Sequence, residues 1–305
     1  MKYLIVGTGG TGATTGAYLA KAGMDVSFIA RGAHLQAICE KGLRIIRPND
    51  EFTISSCKAS TFEEYDEKPD VIFVCVKGYS LDEIIPQLQR ISDAHTIIIP
   101  ILNIYGTGAS MQPHFPDALV TDGCIYVAAQ IHEPGCIRMN GEILRVIFGI
   151  RNESEYRDEL KQIESDLITA GITGVLSDNI ARDALLKFSY VSAQGACGLY
   201  YNVAAGEIQK PGEIRDCFAG LVHEIDLLAQ AMDIHFEEDI VARNLAILDN
   251  LSETATTSLQ RDIMAGNRCE IDGLIYEVIR LADKYSIDLP IYRKIATALE
   301  DRGLS

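Results

Sequence analysis

Apolar and polar positions follow two different rhythms along this 305-residue chain. In the first half, short apolar runs alternate with stretches of helical periodicity. Residues 2–6 read as a strand, 12–22 as a helix of small residues ended by Gly23, and 25–30 as a second strand. Residues 70–76 and 96–102 are almost continuously apolar, as expected of parallel strands covered on both faces. Pro100 must then sit at a strand end or at a bulge. Ser80-Leu81-Asp82-Glu83 has the form of a capping box opening a helix over 81–90. Residues 42–48 and 51–56 pattern as a hairpin turning at Pro48-Asn49-Asp50, inserted before the fourth main strand.

From 119 to 149 the rhythm becomes β-rich, with breaks at Pro134-Gly135 and Asn140-Gly141 that predict tight turns between antiparallel strands. A helix over about 153–170 and an extended piece through Val175 and Leu176 follow. Beyond Ser177 strand signals almost vanish. Apolar residues such as Leu259, Ile263, Ile271, Leu274, Val278 and Leu281 recur at helical spacing.

Composition narrows the class. The hydrophobic fraction of 48% and charged fraction of 23% are those of a globular protein. No apolar run approaches the roughly 18 to 20 residues of a membrane span, and the first residues do not read as a signal peptide. Eight cysteines are scattered, none as C-x-x-C. No histidine pair stands at ligand spacing, so no metal is indicated and the thiols read as free in a reducing cytoplasm. The net charge of −16 argues against nucleic acid and membrane surfaces as partners. On so acidic a protein, an anionic ligand needs local positive charge, so basic residues beside glycine turns become informative. The oligomeric state is left open, a homodimer being one option.

Gly7-Thr8-Gly9-Gly10-Thr11-Gly12 is such a turn, placed after a strand and before a helix. In the G-x-G-x-x-G pattern the first glycine permits the bend and the second admits a pyrophosphate. The third lets helix and strand pack closely, and the helix N-terminus offers free N–H groups. A site for NAD usually has Asp or Glu at the end of the second strand. Here that strand ends Ala30-Arg31-Gly32, and Arg31 suits a 2′-phosphate. The expected cofactor is therefore NADP (NADPH). The expected fold is α/β: a doubly wound, Rossmann-type domain over 1–176 and an all-helical domain over 177–305.

Further motifs, in order, resemble those of ketopantoate reductases (2-dehydropantoate 2-reductases). They are the glycine turn, Ala30-Arg31-Gly32, Val76-Lys77 and Leu102-Asn103, each after an apolar strand. Lys187-Phe188, Thr257-Ser258 and Cys269-Glu270-Ile271-Asp272-Gly273 complete the set, which spans nearly the whole chain. The resemblance implies NADPH-dependent reduction of a 2-keto acid to a 2-hydroxy acid, 2-dehydropantoate to pantoate first, on the route to pantothenate. Lys187 would match the general acid, and Ser258 and Glu270 the residues holding substrate oxygens. Lys77 would match a residue on the cofactor side, and Asn103 one near the nicotinamide ribose and substrate. A ketone accepting hydride becomes an alkoxide, so a lysine at that oxygen makes independent chemical sense.

The chain also departs from that pattern. The family usually carries Asn four and eight residues after the lysine, where this sequence has Val191 and Gly195. Ser192 and Gln194 offer hydrogen bonds nearby but are expected to project differently. The usual Asn-Gly is Asn103-Ile104 here. Loss of polar partners weakens discrimination for a substrate hydroxyl. A hydroxyacid dehydrogenase of other substrate is therefore the first alternative, and a non-catalytic NADP-binding sensor, needing only the N-terminal site, the second.

Overall fold

Tyr3 and Ile5 feed one apolar core while their neighbours Leu4 and Val6 feed another, so the first strand is covered on both faces. The computed structural model describes residues 1–304. They pack as two units, Met1–Leu102 with Gly106–Ile180, and Asn103–Tyr105 with residues 181–304. The first unit carries strands β1 (Lys2–Val6), β2 (Asp25–Ile29), β3 (Leu43–Ile46), β4 (Glu51–Ile54), β5 (Lys58–Ser60), β6 (Val71–Val74), β7 (Ile97–Pro100), β8 (Leu119–Val120), β9 (Asp122–Glu133), β10 (Cys136–Gly149) and β11 (Thr173–Leu176). Its helices are α1 (Gly10–Lys21), α2 (Gly32–Lys41), α3 (Leu81–Ile91), α4 (Thr107–Met111) and α5 (Glu159–Thr169).

Six parallel strands run in the order β5-β2-β1-β6-β7-β8, the doubly wound arrangement, whose order reverses between β1 and β6. A second sheet runs β11-β10-β3-β4, with β9 paired antiparallel to β10. Helix α1 packs against the first sheet and against β9 and β10. This double covering explains its small residues. A Cβ on Gly16 would stand 2.3 Å from the Phe28 ring, and one on Gly10 would stand 2.1 Å from the Ala129 carbonyl oxygen.

Several local expectations are corrected. Helix α1 begins at Gly10, two residues earlier than the small-residue run suggested. Ser80 forms no capping box; it closes a 3₁₀ turn, Gly78–Ser80, that runs straight into α3. Asn140-Gly141 is not a turn either. It lies inside β10 at a register shift between Met139 and Leu144, where a bulge lets one long strand pass by β9. The helix over 153–170 is a 3₁₀ turn, Glu153–Glu155, followed by α5. Pro100 is the last residue of β7, and the hairpin β3–β4 forms as read.

The second unit is helical: α6 (Ile180–Tyr201), α7 (Ala205–Gln209), α8 (Glu213–Ala231), α9 (Ile240–Asp249), α10 (Ser258–Met264), α11 (Glu277–Lys284) and α12 (Pro290–Glu300). A π turn, Asp272–Tyr276, leads into α11. Their apolar faces share one core that includes Leu185, Phe188, Phe218, Ile225, Leu274 and Tyr292. No helix among the described residues is long and apolar enough to cross a membrane.

Candidate active site

The glycine turn follows β1 at the point where the strand order reverses, the place where open α/β sheets bind ligands. Gly7 has φ +95°, and a Cβ there would stand 2.9 Å from the backbone of Cys75 and Val76. A Cβ on Gly12 would stand 2.1 Å from the Gly7 carbonyl oxygen. Both glycines are therefore required by packing. Gly9 differs: a Cβ there meets nothing within 4 Å. Its face is open, beside the N-terminus of α1, whose first N–H groups have no intrahelical acceptor. This is the concavity a pyrophosphate needs, and the residues present fit a bound dinucleotide. Gly10, counted with the turn, makes room for β9 as well. Thr8 is buried within the turn, and Thr11 lies in the first turn of α1.

Arg31 stands at the N-cap of α2, two residues beyond Ile29, the last residue of β2. It is exposed, and its guanidinium has no hydrogen-bonding or ionic partner among the described residues. On the same helix, His34 Nδ1 accepts the Gly135 N–H at 3.1 Å, and burial holds its imidazole below the ordinary 6.5. Lys77 follows β6 at the N-cap of the 3₁₀ turn.

In the helical unit, Lys187 lies on α6 and is only 7% exposed. Its ammonium donates to the side-chain oxygen of Asn103. Burying an ammonium is costly unless it is hydrogen-bonded, so this contact holds Lys187 in place. Asn103 reaches it because Asn103–Tyr105 pack with the helices, Tyr105 lying 6.1 Å from Phe188 between ring centroids. Ile104 is accommodated by Gly273, where a Cβ would stand 2.4 Å from Ile104 Cδ1. Ser258 is the first residue of α10, behind a capping box of Thr257 and Gln260. Glu270 is buried. It lies between helices: Ala265 caps α10, and the Glu270 carbonyl accepts from the Leu274 N–H at the entry to the π turn.

The structure also reassigns two neighbours of Lys187. Ser192 is taken up structurally, with Oγ bonded to the Leu274 carbonyl at 2.6 Å and to the Tyr292 hydroxyl at 2.7 Å. Gln194, expected to offer a hydrogen bond but to project differently from the family's Asn positions, lies seven residues after Lys187 on an unbroken helix. That spacing returns it to within about 20° of Lys187 around the axis. The i, i+7 spacing was the signal that could have found it.

Strand order and open glycine turn together define a dinucleotide-binding protein of the doubly wound class. Residues 3–153 match the family described as ketopantoate reductase PanE/ApbA, and residues 179–302 match its C-terminal part. The chain belongs to the ketopantoate reductase PanE/ApbA family, a family of oxidoreductases. It is 23% identical over 302 residues to the uncharacterized oxidoreductase YkpB of Bacillus subtilis, covering 98% of each chain. It is 26% identical to a 2-dehydropantoate 2-reductase of Pyrococcus horikoshii over 298 residues, 95% of this chain and 94% of the relative. Its fold is also that of a D-mandelate dehydrogenase solved with NADH and anilino(oxo)acetate, with TM-score 0.87 and 20% identity, covering 99% of this chain and 98% of the other.

Proposed function

We propose that this oxidoreductase uses NADPH to reduce a 2-keto acid to the 2-hydroxy acid, with 2-dehydropantoate the first candidate. The observation that carries the reading is the buried Lys187 ammonium, fixed by the Asn103 amide oxygen. When bound, the reduced dinucleotide supplies the hydride that adds to the keto carbon. Lys187 Nζ then gives a proton to the developing alkoxide, and Asn103 keeps the ammonium aimed while it does so. Ser258 and Glu270 hold the oxygen groups of the substrate. Gly7, Gly9 and Gly12, with Thr8, Gly10 and Thr11, form the pyrophosphate turn, and Lys77 and Asn103 serve the cofactor side.

Arg31 supports NADPH over NADH, since an exposed guanidinium without a protein partner is available to a 2′-phosphate. Action in the cytoplasm agrees with eight free thiols. A second reading, a hydroxyacid dehydrogenase of other substrate, is favoured by Val191 and by Leu259, which lies 3.3 Å from where a Gly195 Cβ would be. Following NADPH absorbance across a panel of 2-keto acids tests the proposal. Oxidation with at least one is expected, and none with any of them returns the protein to a sensor role.

A further inference from the structure

Helices α6 and α8 run past each other along a seam marked by three contacts. Tyr190 and Phe218 meet edge to face, 6.1 Å between ring centroids. Further along, the Cys197 thiol donates to the Ile214 carbonyl at 3.5 Å. At the far end the Tyr201 hydroxyl donates to the Glu213 carboxylate at 3.1 Å. The contacts climb α6 while they descend α8, so the two helices are antiparallel here. A cysteine side chain has one atom beyond Cβ. A thiol that reaches the backbone carbonyl of a second helix therefore brings the two backbones close together.

Cys217 stands one turn beyond Ile214 on α8. Helical side chains lean toward the N-terminus, so the Cys217 thiol hangs over the same turn that Cys197 touches. The two thiols hydrogen-bond each other there. Their surroundings differ. Cys197 is buried, whereas Cys217 is partly exposed. The Cys217 partner and burial push the Cys197 thiol up. Hydrogen bonds to Cys197 and Tyr201, with the Lys294 ammonium nearby, hold Cys217 below the ordinary thiol value in spite of its own burial. Lys294 lies over the Tyr200 ring, 5.5 Å from its centroid, and that ring meets Tyr201 edge to face. Positive charge thus stands at the open end of the seam. One accessible, thiolate-prone sulfur beside one buried thiol is the asymmetry of an attacking and a resolving cysteine.

We propose that Cys197 and Cys217 form an oxidative modification site that takes a hydroperoxide and closes to a reversible disulfide between α6 and α8. The Cys217 thiolate attacks one peroxide oxygen and the O–O bond breaks. The departing alkoxide, or hydroxide, takes up a proton, and Cys217 becomes a sulfenic acid. The Cys197 sulfur then attacks the sulfenic sulfur and gives up its proton, and the S–O bond breaks to release water. Two thiols lose two electrons in all, and the hydroperoxide is reduced to an alcohol and water. Backbones as close as these suit the roughly 4.4 to 6.8 Å between Cα atoms that a disulfide needs. Thiol reductants reverse the bridge, in keeping with the transient disulfides of a reducing compartment. The pair lies about 15 Å further along the α6 axis than Lys187, so it stands independently of the 2-keto acid reading.

The test exposes the folded, full-length protein to hydrogen peroxide at neutral pH, quenches it in acid, alkylates the remaining thiols and maps the peptides by mass. The peptides bearing Cys197 and Cys217 are expected to be recovered linked, with both thiols lost together and both restored by dithiothreitol. Cys197→Ser should leave Cys217 as a sulfenic acid that a cyclic 1,3-dione traps. Cys217→Ser should slow the loss of the Cys197 thiol about tenfold or more, since the buried thiol then lacks its accessible partner. Both thiols still alkylated after the exposed Cys39 has been oxidised would overturn the proposal. So would Cys217 carried to a sulfinic acid with Cys197 still free, or Cys197 oxidised as fast in Cys217→Ser as in the wild type. The wild-type map decides between these outcomes even where a variant fails to fold.

Discussion

Asn103 accepts a hydrogen bond from the buried ammonium of Lys187 across 84 residues of sequence. Lys187 belongs to the first long helix of the helical unit, whereas Asn103 follows a strand of the parallel sheet. The contact is therefore made by chain topology as much as by either residue. If the ammonium is the proton donor, Lys187→Ala lowers kcat about a hundredfold or more while the dissociation constant for NADPH stays nearly constant. Asn103→Ala leaves the donor in place but unaimed and costs less, about tenfold. Steady-state kinetics with dinucleotide titrations separates the two. Equal losses in kcat and in dinucleotide binding would move the proton donor elsewhere.

Arg31 supplies the next expectation. Arg31→Ala should weaken NADPH binding at least about tenfold, the order of one charge-assisted contact, and leave NADH affinity unchanged. Fluorescence titration of the two nucleotides against both proteins measures it. A parallel loss for both nucleotides would show that Arg31 supports the turn rather than the 2′-phosphate.

What could be read before folding was governed by the range of the interaction. The strands around Leu4, Phe73 and Ile98 are apolar throughout, because both faces are covered, and that pattern is local. The glycine turn is local too. Gly10 reads as part of the phosphate loop, yet its missing side chain also admits Ala129, more than a hundred residues away. Gly273 gives no local signal at all; its small size matters because Ile104 lies against it. Ser80 failed as a cap because a 3₁₀ turn precedes its helix, and Asn140-Gly141 failed as a turn because β10 bulges and continues. Gln194 was legible by helical arithmetic.

Gly9 and Gly12 should respond differently to the same change. Gly12→Ala places a methyl 2.1 Å from the Gly7 carbonyl oxygen and should destabilise the fold by about 1–3 kcal/mol, as overpacking does. Gly9→Ala meets nothing within 4 Å, so its unfolding midpoint should match the wild type while dinucleotide affinity falls. Thermal unfolding without cofactor, set beside NADPH titration, reads both. A Gly9→Ala protein that binds NADPH normally would mean that the open face above Gly9 is not where the pyrophosphate lies.

His34 gives the pH dependence. Burial holds its imidazole below 6.5, and the neutral ring accepts the Gly135 N–H through Nδ1, tying α2 to the turn between β9 and β10. Well above pH 6.5 neither the folded nor the unfolded chain binds a proton at this ring. As the pH falls below 6.5 the unfolded chain takes one up first. The unfolded state then holds more protons, and the folded state loses stability until the pH passes the lower folded value. His34→Asn keeps an acceptor near the Nδ1 position and removes the titration. Its unfolding midpoint should therefore fall less than that of the wild type between pH 7.5 and 5.5. Parallel slopes for the two proteins would assign the acid sensitivity to other groups.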